Sequence, residues 1–320
     1  MNAPDFWWRT QPSWQSWLLA PLGALYAATT ARRTARPGWH APVPVICCGN
    51  PTVGGSGKTT VALDIGARLR ARGRKPAFLL RGYGGTQRRP VRVAGQGAAD
   101  IGDEALLLAE CAPSYVGADR AATARLAIAD GADVLVLDDG LQNPTLSKDF
   151  TFLVVDGAAG FGNARLIPAG PLRETLPAAI ARCQAAVLIG ADATGVAERL
   201  GELPVLAARL QSDKDLSGRK LYAFAGIGRP AKFGETLAAA GANVVRVHGF
   251  PDHHPYSAAD VRRVLAAADG LGAIPVTTPK DATRLPAEFR DQVEIIGVRL
   301  VWANPDAIEA ALTQALRGRA

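Results

Sequence analysis

The run Thr52-Val53-Gly54-Gly55-Ser56-Gly57-Lys58-Thr59 has the residue types that hold a chain of phosphates. Its glycines let backbone N–H groups turn inward with no Cβ in the way. Lys58 would reach the terminal phosphates, and the Thr59 hydroxyl would hold Mg2+. The strict pattern G-x-x-x-x-G-K-[ST] places glycine where Thr52 stands. Thr52 changes how the loop is entered and leaves its phosphate-facing turn intact. The sequence therefore predicts a P-loop, with residues 52–59 as the nucleotide cradle.

Asp138 and Asp139 follow a continuous apolar run, VLVL at 134–137. If that run is a strand parallel to the one before the P-loop, both carboxylates lie where ligands gather in open α/β sheets. One of them would then hold Mg2+, directly or through water. No N-K-x-D stretch for guanine is present, so ATP is the expected nucleotide. An acceptor that brings a hydroxyl needs a base to take its proton. Asp103, in the run GDEAL at 102–106, is one candidate, and an Asp at a helix start is also a favoured cap. His253 and His254 are another, in the loop ahead of a Ser257/Asp260 capping box. Residue chemistry alone leaves the base open between them.

These groups need a scaffold. From residue 43 onward the chain alternates apolar strands, glycine loops and helices. Strands are expected at 43–48, 76–80, 133–137 and 152–155, with helices from 59 to about 71 and from 103 to 110. Continuous apolar strands in such alternation imply a parallel sheet covered by helices on both faces. Strands at 220–225, 243–247 and 274–278, with helices at 231–240 and 258–267, predict a second, smaller α/β lobe. The expected fold class is α/β: a P-loop NTPase-type sheet, a smaller C-terminal lobe and an N-terminal helical segment. The boundaries fall at 1–40, 41–205 and 206–320.

Bulk properties narrow the partners. The chain has 320 residues, a formal net charge of +7 and 48% apolar residues, which reads as globular with an anionic partner or surface. A stretch from Arg68 to Arg92 is basic with no acid in it. Its ordinary reading is a solvated helix face plus loop. No aromatic ladder, zinc finger or RNA-binding sequence accompanies it, so nucleic acid is not the expected partner. Cys47, Cys48, Cys111 and Cys183 lack ligand spacing and read as small hydrophobes in a reducing compartment. Trp7, Trp8, Trp14, Trp17 and Trp39 crowd the N-terminus, and WLLAPLGALYAA at 17–28 is uncharged and too short to span a bilayer. Residues 5–36 read as a helix or helix pair lying on a membrane surface, with packing on the chain's own domain as the alternative.

Together these pieces resemble the tetraacyldisaccharide 4'-kinases of lipid A synthesis. The resemblance runs in order through GNPTVGGSGKT (49–59), LLRGYGG (79–85), GDEALLLA (102–109), LDDGLQNP (137–144), IPAGPLRE (167–174), GIGRP (226–230), FPDHH (250–254) and TTPKD (277–281). It implies ATP-dependent phosphorylation of the 4'-hydroxyl of a tetraacylated glucosamine disaccharide 1-phosphate, at the cytoplasmic face of the bacterial inner membrane. It implies Asp103 as base, His253 assisting and Glu104 beside them at the reaction centre. Thr59, Asp138, Asp139, Gln142 and Glu174 would arrange Mg2+ and its waters. Lys280 and Asp281 would face the nucleotide, the small lobe would close over ATP, and the basic stretch would face anionic headgroups or the substrate's 1-phosphate. Leu141, Thr60, Gly234 and Pro279 depart from the family's usual phenylalanine, proline, aromatic and glutamate, and none of them removes a reacting group. The rival is a partitioning-type P-loop ATPase switch, whose loop differs at Val53, where that class carries a lysine.

Overall fold

The computed structural model describes residues 4–9, 11 and 13–317. Met1, Asn2, Ala3, Thr10 and Pro12 of the expected segment 1–40, and Gly318, Arg319 and Ala320 of the expected lobe 206–320, lie outside the described residues.

In chain order the strands are β1 (Val45–Gly49), β2 (Pro76–Leu80), β3 (Val91–Arg92), β4 (Ser114–Val116), β5 (Val134–Asp138), β6 (Phe150–Asp156), β7 (Ala185–Ile189) and β8 (Val205–Ser212). There follow β9 (Lys220–Ala225), β10 (Asn243–Gly249), β11 (Ile274–Thr277), β12 (Glu294–Ile295) and β13 (Val298–Trp302). Nine strands form one sheet in the order β13-β8-β7-β6-β1-β5-β2-β4-β3, and four form a second in the order β10-β9-β11-β12. The pairs from β4 across to β8 are parallel, with antiparallel β3 and β13 at the two edges. β1, β2, β5 and β6 are buried throughout because helices cover both faces.

The β-α order positions the chemistry. β1 runs into the P-loop and helix Lys58–Ala71, whose Val61, Ile65 and Leu69 pack against Ile46, Phe78 and Val136. β5 lies beside β1 in parallel register, with Cys48 opposite Asp138, so the acids emerge next to the P-loop. In the small lobe the parallel sheet carries helices Pro230–Ala239 and Ala258–Gly270.

The expected lobe 206–320 is too generous at both ends. β8 and β13 belong to the large sheet, and helix Pro305–Leu316 packs there too. Trp302, Ile308 and Leu312 are buried in the same core as Ile65 and Leu69, and Trp302 Nε1 donates to Asp64 Oδ2 at 2.8 Å. Apolar burial holds them there, since their side chains complete the core of the large sheet. Part of the basic stretch is consumed by the same docking. Arg68 and Arg72 both pair with Glu309, and Arg74 pairs with Asp133 at 3.3 Å. Those arginines hold the fold together rather than face a lipid.

Helix Trp14–Thr34 is turned inside out for a globular protein. Ser16, Gly23 and Thr30 form its buried face, while Trp14, Trp17, Leu18, Leu22 and Leu25 are exposed. A Cβ on Gly23 would stand 3.2 Å from Leu166 O, so the glycine sets how closely this helix lies on the domain. Ser16 Oγ accepts from Asn163 Nδ2 at 2.9 Å, and Trp7 Nε1 donates to Pro168 O at 3.0 Å.

Candidate active site

The P-loop is entered through Thr52, whose N–H and hydroxyl both donate to Asn50 Oδ1, at 2.5 and 2.6 Å. The other side of this entry is held by residues 171–173. Val53 N–H donates to Pro171 O at 2.9 Å, and Arg173 N–H donates to Pro51 O at 2.6 Å. A glycine could not supply the hydroxyl donor, which accounts for the departure from the strict pattern. Lys58 opens the helix whose positive end faces the loop. Ser56 Oγ is buried with no hydrogen-bond partner among the described residues. The small-lobe loop 226–230 lies over this turn: a Cβ on Gly228 would come within 3.2 Å of Gly55 N.

Asp138 ends β5 and is 3% exposed. One oxygen accepts the Thr59 hydroxyl at 2.7 Å, while Oδ1 is buried with no partner among the described residues. Burial, and then the neighbouring Glu104, push its carboxyl up to about 7, against the pull of Thr59 and Lys58. That orphaned oxygen beside a threonine hydroxyl fits a hard divalent cation such as Mg2+. Asp139 differs although it is adjacent. Burial raises it, but Lys58 at 3.6 Å and Arg173 at 2.8 Å outweigh that and hold it below the usual range. Arg173 also donates to Gln142 Oε1 at 3.3 Å, and Gln142 donates to Glu174 Oε1 at 2.9 Å and to Asn50 O at 3.0 Å. Glu174 is closed off by Arg182. Of the five expected Mg2+ residues, Thr59 and Asp138 are hydrogen-bonded to each other, while Asp139, Gln142 and Glu174 lie on a hydrogen-bonded chain that runs through Arg173. Among the described residues no cluster of three or more His, Cys, Asp and Glu side chains is arranged to hold a metal ion.

Asp103 starts helix Asp103–Ala109 and is 3% exposed. His253, from the loop after β10, brings Nδ1 to 3.0 Å from Asp103 Oδ2. Lys280 Nζ lies 3.1 Å from Glu104 Oε1 and 3.4 Å from His253 Nε2. An ammonium only donates, so Nε2 accepts and Nδ1 carries the proton given to Asp103. Burial would raise the Asp103 carboxyl, but the His253 hydrogen bond and the Lys280 and Arg284 charges hold it below its ordinary value. The same acids, Glu104 foremost, raise Lys280 against its own burial. His254 has a different place: it stacks on Phe250 at 4.8 Å, and its Nε2 lies 3.2 Å from Asp260.

The geometry thus unites Asp103, Glu104, His253 and Lys280 across the two lobes, with Lys58 and Thr59 at the start of the adjoining helix and Asp138 at the end of β5. Asp281 lies behind them, buried and hydrogen-bonded to Gly226 N–H and the Tyr256 hydroxyl, both at 2.8 Å. Sequence reasoning assigned nothing to Arg173, Arg284 or Arg120. Arg120 is buried near Asp139 and Arg81, and burial lowers its guanidinium to about 10. The one sequence signal was Arg173 inside the PAGPLRE run.

A family model described as LpxK, tetraacyldisaccharide-1-P 4'-kinase, matches residues 15–317. The tetraacyldisaccharide 4'-kinase of Gluconacetobacter diazotrophicus is 54% identical over 98% of this chain and 97% of its own length. That of Rhodospirillum rubrum is 50% identical over 100% of this chain and 99% of its own. Among solved structures, LpxK from Aquifex aeolicus in complex with ATP matches with a TM-score of 0.75 and 26% identity, covering 94% of this chain and 99% of that one.

Proposed function

We propose, from the premise that this chain belongs to the tetraacyldisaccharide-1-P 4'-kinase family, that it transfers the γ-phosphoryl group of ATP to the 4'-hydroxyl of a tetraacylated glucosamine disaccharide 1-phosphate. The product is the 1,4'-bisphosphate. The partitioning-type switch is not favoured, because full-length relatives carry the kinase name and Val53 stands in place of that class's lysine.

The observation that carries the assignment of roles is the 3.0 Å contact between Asp103 and His253 across two lobes, beside a P-loop. The P-loop amides and Lys58 hold the phosphates and orient the γ-phosphoryl group. Asp103 accepts the proton of the 4'-hydroxyl as its oxygen bonds to the γ-phosphorus and the bond to ADP breaks. His253 donates to Asp103 and fixes its orientation, and Lys280 fixes the His253 tautomer. Thr59 and Asp138 would hold Mg2+, with Asp139, Gln142 and Glu174 ordering its surroundings. When bound, Mg2+ neutralises charge on the phosphoryl oxygens. The small-lobe loops exclude water that would otherwise consume ATP.

The acylated substrate favours a peripheral enzyme on the cytoplasmic face of the inner membrane. Each CH2 brought into water costs about 0.8 kcal/mol, so the enzyme must work at the bilayer. Among the described residues no helix is long and apolar enough to cross a membrane. The exposed tryptophans and leucines of helix Trp14–Thr34 supply an in-plane anchor, and Arg165, 3.9 Å over the Trp17 ring, sits at its edge.

The test is transfer of radiolabel from γ-labelled ATP to the lipid disaccharide. Asp103→Ala is expected to lower kcat by about 10²–10⁴-fold while ATP affinity survives. Undiminished transfer would move the base elsewhere.

A further inference from the structure

We propose that Arg284 is a positioning residue for the transfer, fastening the small-lobe loop that carries His253 to the large-lobe carboxylate Asp103. The proposal rests on the reading of Asp103 as the base.

Arg284 follows helix Pro279–Ala282, and its side chain is only 7% exposed. Nη2 donates to Asp281 Oδ1 at 2.6 Å and to Gly226 O at 3.0 Å, and Nη1 donates to His254 O at 3.2 Å. Both carbonyls belong to loops that frame His253. His253 N–H itself donates to Gly226 O at 3.0 Å, and His253 holds a left-handed backbone with φ of 59°. A guanidinium is planar, so placing Nη1 and Nη2 fixes Nε as well. That Nε is buried, has no aligned hydrogen-bond acceptor, and lies 3.3 Å from Asp103 Oδ2 in the other lobe. A purely structural arginine would be satisfied by Asp281 and the two carbonyls. The approach to Asp103 goes beyond that need.

Asp103 is faced by acids as well as bases: Glu104 on its own helix, Asp252 behind His253 at 3.8 Å, and Asp281 behind Arg284. Opposing them are the His253 N–H and the Lys280 and Arg284 charges, and Arg284 is the more deeply buried of the two cations. A buried charge beside a carboxylate favours its ionised, proton-accepting form. The contact forms only when the lobes meet, so it couples lobe docking to the orientation of the base.

The test compares the full chain with Arg284→Met and with Asp281→Asn/Arg284→Gln, the latter removing both buried charges so that neither is stranded. Carboxyl-13C NMR follows Asp103, identified by its loss in Asp103→Asn, while kinetics use ATP, Mg2+ and the lipid disaccharide. In both variants Asp103 is expected to titrate higher than in the wild type. The kcat is expected to fall at least about tenfold, with KM for ATP changed by less than about twofold. A wild-type titration or a wild-type kcat in the double variant overturns the proposal. In Asp103→Asn, whose small lobe is untouched, the Arg284 Nε–H resonance is expected to shift, and an unmoved resonance overturns the contact whatever the Arg284 variants do. If Asp103→Asn transfers at the wild-type rate, the base reading fails. If it is inactive while the Arg284 variants behave as wild type, the Arg284 proposal alone fails.

Discussion

Asp138 is a carboxylate kept from water, with one oxygen on the Thr59 hydroxyl and the other unpaired. Its folded value of about 7 lies above its ordinary 3.8. The unfolded chain therefore releases the proton more readily, and stability falls as pH rises between those values. Above 7 the full cost of a buried charge is present. Asp138→Asn is expected to raise the thermal midpoint of the nucleotide-free protein at pH 8, by on the order of 5 °C. At pH 5 the gain should be smaller, because the native carboxyl is protonated there. Equal gains at both pH values, read by calorimetry, would contradict the assigned burial cost. The chemistry of Lys58, Thr59 and the Asp138–Asp139 pair is legible in the sequence, because each group sits in a contiguous pattern with a known spacing. Arg173 and Arg284 are not legible in that way. A guanidinium's task is set by the acceptors around it, and for Arg284 those come from residues 103, 226, 254 and 281.

At the scale of elements, the strand–loop–helix of the P-loop and the strands at 76–80 and 220–225 coincide with expectation, since two-sided burial leaves an unmistakable apolar run. β8 and β13 escape such reading because the edge strand and its neighbour leave many residues partly exposed, which breaks the apolar run. Helix Pro305–Leu316 has an apolar stripe that reveals a helix but not which lobe it covers. Helix Trp14–Thr34 is legible as apolar, while its inverted orientation depends on Ser16 meeting Asn163 and Gly23 meeting Leu166 and Ile167. That orientation makes a separable prediction. Leu18, Leu22 and Leu25 are exposed, so replacing all three with Gln should change folding stability by no more than about 0.5 kcal/mol per site. Sedimentation with anionic vesicles should be largely lost, and KM for the lipid should rise at least about tenfold through lost apolar burial. Unchanged sedimentation would remove this face from the membrane contact.

At the scale of the molecule, two lobes meet through charged groups around the P-loop. Lys232 lies 2.6 Å from Asp156 at the end of β6, Lys280 pairs with Glu104, and His253 and Arg284 reach Asp103. The chain crosses between lobes twice, and the crossings are tied by Asp213 N–H donating to Gly297 O at 3.1 Å. No local pattern foretells such a meeting, because His253 and Asp103 are 150 residues apart. Only the resemblance to a family suggested their pairing in advance. These two side chains act as one unit on the transferred group, and a double-mutant cycle on transfer to the lipid disaccharide measures their coupling. Asp103→Ala and His253→Ala should each lower kcat by about 10²-fold or more, and the double variant should lose little beyond the worse single one. Losses that multiply, or full activity in His253→Ala, would contradict it.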